Sequence, residues 1–257
     1  MTGVLMLEQA LNGLQFGLML FLLAAGLTLV FGIMDMINLA HGSLYMVGAF
    51  LTAWFAGLTD SFVLGVVLAV PATAALGMVL EATLLRTLYA RDHLSQVLAT
   101  FALILIINES VRMIWGTDLP LSAPQALAGP VELVPGLLYP AYRLLIIVVG
   151  AALCAVAGAL LAPLFAVQVG MGESILILAF VVIVIGGIGS IRGALFGSLL
   201  VGMVDTFGRT LLPELFGLFL PPQLASATGP AISSVIVYLL MAVVLFIKPQ
   251  GLFPARG

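Results

Sequence analysis

Two short stretches interrupt an otherwise apolar sequence, and they carry most of the groups that could act on a solute. The first is Ile37-Asn38-Leu39-Ala40-His41-Gly42-Ser43. Asn38, His41 and Ser43 supply amide, imidazole and hydroxyl groups, and such groups inside an apolar run need protein partners or water. They fit either the lining of a solute pathway or interhelical hydrogen bonds that fix packing. The second stretch is Ile185-Gly186-Gly187-Ile188-Gly189-Ser190-Ile191-Arg192-Gly193, with four glycines in eight residues. That density weakens a helix and frees backbone carbonyls and amides, so Gly186, Gly187, Gly189 and Ser190 are candidate pathway residues with Asn38, His41, Gly42 and Ser43. The alternative for the glycines is close helix packing, a role that suits Gly197 and Gly202 better. Asn108, beside Glu109, is a further candidate for the pathway, or a packed amide.

Enzyme chemistry finds little footing. A serine nucleophile at Ser190 needs a histidine base on a following helix, and His41 and His93 both precede it. No carboxylate pair sits inside adjacent apolar runs, and no phosphate-binding loop of glycines ending in Lys and Ser or Thr occurs. A single cysteine, Cys154, excludes an internal disulfide and a Cys-based metal cluster, and neither histidine has a zinc-ligand spacing. The expectation is therefore no catalytic residue, no metal and no cofactor held by this chain. The net charge of -3 gives no argument for nucleic acid.

The elements that position these residues are membrane spans. Of 257 residues, 63% are hydrophobic and 7% charged, whereas a soluble domain carries roughly 25% charged residues. A span needs about 20 apolar residues, so the gaps between charges parse the chain. Apolar runs fall at about 11–33, 36–57, 62–85, 94–115, 144–165, 175–191, 194–212 and 231–247. Pro71 falls inside the third run, which a membrane helix tolerates. Residues 116–142 hold five prolines with Asp118 and Glu132, and read as a loop outside the membrane. No cleaved signal peptide is expected, because the first run is long and is preceded by Glu8 without Lys or Arg. The fold class is thus an all-α, polytopic membrane bundle of about seven or eight spans with glycine-interrupted segments, in one domain, 1–257.

Orientation follows from Lys and Arg, which stay on the cytoplasmic side. Arg86 and Arg91 place their loop inside, and Lys248 and Arg256 place the C-terminus inside. Five apolar runs separate the two, however, and an odd number of crossings puts them on opposite sides. Parity returns if 144–165 holds pieces of two spans with an inside loop missing near Gly150 and Ala151; Arg192 then falls inside and the N-terminus outside. The alternative is seven spans with a weak C-terminal signal. Charges within spans find local partners: Glu109 with Arg112 at i,i+3, and Asp205 with Arg209 at i,i+4. Glu81 lies within reach of Arg86 or water.

His41-Gly42-Ser43-Leu44 sets loosely against Arg192-Gly193-Ala194-Leu195. Discontinuous segments at equivalent places in two halves point to a midplane transport site. Beyond that, Gly26-Leu27-Thr28-Leu29-Val30-Phe31-Gly32-Ile33 followed by Met36-Ile37-Asn38-Leu39-Ala40-His41-Gly42 resembles the first signature of the branched-chain amino-acid ABC transporter permeases. Ala179-Phe180 through Gly186-Gly187-Ile188-Gly189-Ser190 to Gly193 and Gly197 resembles the family's glycine motif, with Arg192 where Pro is frequent. Lys248-Pro249-Gln250-Gly251-Leu252-Phe253 resembles its closing motif, and the smaller permease of the pair is the better match. The resemblance implies an importer in the bacterial inner membrane that moves branched-chain or other small amino acids or amides by alternating access. It implies a second homologous permease, two ATPase subunits holding ATP and Mg, and a periplasmic substrate-binding protein. It also expects a cytoplasmic coupling loop where this chain runs from Gly150 to Ala151, so no coupling residue carries over. A competing class, an ion-coupled secondary transporter or channel for small polar solutes, would be expected to bury an unpaired acid.

Overall fold

The computed structural model describes residues 3–34, 36, 38–119, 130–134, 137–140 and 169–253. Among them, seven helices follow one another: α1 (Gly3–Met34), α2 (His41–Thr59), α3 (Phe62–Leu80), α4 (His93–Trp115), α5 (Met171–Gly186), α6 (Ile191–Phe216) and α7 (Pro222–Ile247). A hairpin of β1 (Pro130–Val134) and β2 (Leu137–Pro140) lies between α4 and α5. Six helices are long and apolar enough to cross a membrane, and α5 is a shorter apolar helix. Helices dominate because hydrocarbon offers no partner to a free N–H or C=O, so each span must satisfy its own backbone. The run 144–165, with the junction of Gly150 and Ala151, lies outside the described residues.

Several boundaries differ from the sequence reading, each for a local reason. The second span starts at His41 rather than residue 36, because the Asn38 side chain accepts from the Ala40 N–H at 3.0 Å and turns the chain before the helix begins. The last span starts at Pro222, not 231: Pro222 opens the helix, where its missing N–H costs nothing, and Pro230 is carried inside. The loop expected at 116–142 holds two short paired strands beside the helical bundle. Pro130 opposes Pro140, Val131 opposes Tyr139 and Glu132 opposes Leu138, with an irregularity before Val134.

Polar caps set the remaining ends. Ser61 caps α3 by accepting from the Leu64 N–H. Asp92 caps α4 by accepting from the Ser95 N–H at 3.1 Å and the Ser95 hydroxyl at 2.7 Å. Helix α3 runs on through one π-type turn, Glu81–Leu85, and a last turn, Arg86–Leu88. There the Tyr89 hydroxyl donates to Glu81 Oε1 at 3.0 Å, a partner the sequence had assigned to Arg86 or water.

The chain forms two compact units, each discontinuous in sequence: Met1–Thr28, Leu127–Ala157 and Ala179–Gly257 in one, Leu29–Ala126 and Gly158–Leu178 in the other. In the first unit α1 packs on α6 through small residues. A Cβ on Gly17 would meet Ser198 O at 2.9 Å, and one on Gly202 would meet Gly17 N at 2.5 Å. Gly197 sits against the Val182 carbonyl in the same way, so Gly197 and Gly202 have the packing role their sequence context indicated. In the second unit the core joins Met46, Val47, Phe50 and Ala53 of α2 to Leu103, Ile104, Ile107 and Val111 of α4. Trp115 closes it, its ring 5.9 Å from Phe50 and 6.2 Å from Trp54.

Candidate functional site

The bend before α2 is built from backbone and two side chains. Asn38 Oδ1 takes the Ala40 N–H, while the Asn38 and Ala40 carbonyls accept from the His41 and Ser43 N–H groups at 3.4 and 3.0 Å. The Leu39 N–H donates to Thr100 Oγ1 on α4 at 3.3 Å. Asn38, Gly42 and Ser43 are buried and His41 is half-buried, so the stretch lies inside its unit, as the cost of polar groups against acyl chains requires. Gly42 also touches the start of α5: a Cβ on it would run into the Gly172 carbonyl, and one on Gly172 into the Gly42 carbonyl. The same end of α5 takes the Asn108 side chain, whose Nδ2 donates to Glu173 Oε1. Asn38, His41, Gly42, Ser43 and Asn108 therefore all belong to one unit, joined by α2, α4 and the first turn of α5.

Gly186, Gly187, Gly189 and Ser190 belong to the other unit. Helix α5 ends at Gly186 and α6 begins at Ile191, so the chain breaks between them as the four glycines require. Gly187 and Gly189 have φ of +110° and +78°. Ser190 caps α6, its hydroxyl accepting from the Gly193 N–H at 3.1 Å. The carbonyls freed at the end of α5 have a partner that the sequence did not reveal. Lys248 to Gly251 turns, and the N–H groups of Leu252 and Phe253 donate to Ile185 O and Gly186 O, both at 2.8 Å. Phe253 then stacks on Phe196 of α6 with ring centroids 5.0 Å apart. The closing motif is thus a clasp on the glycine motif. Gly186 and Gly193 abut as Gly42 and Gly172 do, so each end of α5 meets a glycine in the first turn of another helix.

Charged groups pair as their spacing indicated. Arg112 reaches Glu109 at 3.4 Å with both side chains more than half exposed, and Arg209 Nε reaches Asp205 Oδ2 at 2.7 Å. The second pair is asymmetric: the Asp205 side chain is 6% exposed and that of Arg209 48%. Asp205 Oδ1 is buried without a hydrogen-bond partner. At the loop end of α4, the hydrogen bonds from the Ser95 side chain and backbone hold the Asp92 carboxyl below the usual range. Partial burial, and then donation to Glu81, push the Tyr89 hydroxyl up. No group of three or more metal-ligating side chains occurs among the described residues.

Sequence reasoning missed Thr100, Gln96, Gly172 and the clasp. A signal existed for the first two: Gln96 and Thr100 are polar residues at i,i+4 in an apolar span and therefore share a helix face.

The chain matches the model of the family described as branched-chain amino acid transport system / permease component over residues 9–125 and 136–245. It is 26% identical to the high-affinity branched-chain amino acid transport system permease protein BraD of Pseudomonas aeruginosa, covering 96% of this chain and 95% of that protein. It is 24% identical to the permease proteins LivH of Salmonella typhimurium and of Escherichia coli K12, covering 96% of this chain and 94% of each. The alignment to BraD runs over 309 positions against the 257 residues of this chain, so BraD has segments without a counterpart here. No solved structure matches. The family match spans both of the sequence stretches described above and stops three residues before Lys248, and on it the chain belongs to the branched-chain amino acid transport system permease components.

Proposed function

We propose that the chain is a permease subunit of an ABC importer that moves branched-chain or other small amino acids or amides across the bacterial inner membrane by alternating access. It acts with a second homologous permease, two ATPase subunits that carry ATP and Mg, and a periplasmic binding protein. Asn38, His41, Gly42, Ser43 and Asn108 line the solute pathway in one unit. Gly186, Gly187, Gly189 and Ser190 form the matching break in the other, where the contacts of Gly186 and the clasp serve packing. The observation that carries the reading is the family match across both stretches, together with a buried, non-helical bend at Asn38 inside an apolar helical chain. Irregular backbone is tolerated at such depth only where protein or a water-filled cavity surrounds it.

The N-terminus lies outside and Arg86, Arg91, Arg192 and the C-terminus inside. Support comes from the Val169 N–H, which donates to Thr117 O at the end of α4. Thr117 and Val169 thus lie together at the same end of α4. Helices α4 to α7 then make four passes, and the Arg91 loop and Lys248 share a side.

The test is reconstitution of the complete transporter in liposomes with labelled leucine. ATP-dependent accumulation that requires the binding protein is expected. Uptake that persists without ATP and collapses with a protonophore would replace this reading by the ion-coupled one.

A further inference from the structure

One face of α4 carries a line of buried polar contacts that the transport reading does not use. Thr100 is fully buried and Gln96 is 2% exposed. The Thr100 hydroxyl donates to Gln96 O at 2.7 Å and accepts from the Leu39 N–H. Gln96 Nε2 donates to the carbonyl of Leu88, in the last turn of α3, at 3.3 Å and to that of Arg91, in the loop before α4, at 3.1 Å. One side chain therefore ties α4 to that loop, and the next turn ties α4 to the bend before α2. We propose that Thr100 is the positioning residue of the bend, fixing Leu39 and Ala40 so that Asn38 and Ser43 keep their places in the pathway.

The chemistry requires a hydroxyl there. The Leu39 N–H lies inside the turn closed by Asn38, ahead of the first turn of α2, and among the described residues its acceptor is Thr100 Oγ1. A buried donor without a partner is costly, so the bend holds this geometry only while position 100 offers an acceptor. Valine has the shape of threonine and no oxygen, and serine keeps the oxygen. Gln96 holds the frame rather than the bend, because both of its donor contacts lie at the loop end of α4.

The assignment of a pathway role rests on the reading under Proposed function; the latch does not. The test uses the complete transporter in membranes, with Cys154→Ser and Leu39→Cys as the parent. Thr100→Val is expected to speed modification of the thiol at position 39 by a charged methanethiosulfonate about tenfold, as loss of one buried hydrogen bond allows, while Thr100→Ser stays within about twofold. In the chain without the position-39 change, Thr100→Val should cut the maximal rate of leucine uptake about tenfold at unchanged complex level, and Thr100→Ser should restore it. Equal modification rates for the valine and serine variants would overturn the latch. Faster modification with unaltered uptake would overturn its role in transport. A parent complex that takes up no leucine refutes the reading under Proposed function alone, and the thiol result still decides the latch.

Discussion

Replacing Gly187 by alanine places a methyl group where two carbonyls already stand, 2.7 Å from Phe253 O and 3.0 Å from Gln250 O, on a residue whose φ is +110°. Two routes relieve it. If the backbone keeps its angle, alanine bears roughly 1–2 kcal/mol of left-handed strain, but the clash with Phe253 O remains, because backbone atoms cannot swing away as a side-chain end can. If the tail leaves, the clash vanishes and the hydrogen bonds of Leu252 and Phe253 are lost, at about 0.5–1.5 kcal/mol each. The Phe196–Phe253 stack goes with them, for about 0.5–1.5 kcal/mol more. Detachment, at about 1.5–4.5 kcal/mol, is the expected outcome, and it converts the clasp into a free end. Gly116 provides the control: its φ is +88° and a Cβ there meets nothing within 4 Å, so Gly116→Ala carries backbone strain alone. The assay is thermal unfolding of the purified complex in detergent, with carboxypeptidase trimming of the C-terminus as the local readout. Gly187→Ala should lower Tm more than Gly116→Ala and should expose Phe253 to trimming, which Gly116→Ala should not. Gly251→Ala, whose Cβ would meet Gly187 Cα at 2.5 Å, should do the same. The double variant should cost little more than either single one, since a detached tail cannot be detached again. Equal Tm losses at positions 187 and 116 with a protected tail would refute the clasp.

Removing Arg209 takes the ion pair from a nearly buried carboxylate, so Arg209→Ala should destabilise by about 2–3 kcal/mol after allowance for the half-exposed guanidinium; Arg112→Ala, at an exposed pair, should cost less than about 1 kcal/mol in the same unfolding assay. The folded-state value of the Asp92 carboxyl is depressed, so its contribution to capping α4 is complete above the ordinary carboxylate range and is lost as pH falls through that depressed value. Acid unfolding followed by helical circular dichroism should show this step in the parent and not in Asp92→Asn. Asn38→Ala should lower leucine uptake more than Ser43→Ala, because only the Asn38 side chain closes the turn through the Ala40 N–H; equal uptake in the two variants would contradict that role.

The spans were legible because burial in lipid leaves a coarse signal, a long run of apolar residues, that survives without any partner in view. Local ion pairs were legible for a related reason: Glu109 with Arg112 and Asp205 with Arg209 are fixed by helical spacing alone. Caps and bends were partly legible. Ser190 and the four glycines announced a break after Gly186, whereas the run 36–57 started the second span five residues early, because the Asn38 turn depends on one side-chain oxygen reaching one N–H two residues on. Glu81 was expected to reach Arg86 or water, its nearest options in sequence, whereas Tyr89, two turns away, donates to it. What stayed hidden were partners far apart in the chain: Thr100 for Leu39, Gly172 for Gly42, and the tail for Ile185 and Gly186.

The two glycine-bearing breaks look equivalent in sequence, but their free backbone groups are satisfied differently. At Asn38 the donors are taken by an amide oxygen and a hydroxyl, and three polar residues stay buried around the bend. At Gly186 the acceptors are taken by N–H groups of the chain's own closing segment, and glycine is required at positions 187 and 251 because backbone meets backbone there. A backbone clasp with two hydrogen bonds and a stacked ring pair releases only when the tail departs as a unit. The Asn38 bend is thus open to loosening by a side-chain change at position 38 or 100, whereas the Gly186 turn is expected to open only when a Cβ is added at position 187 or 251.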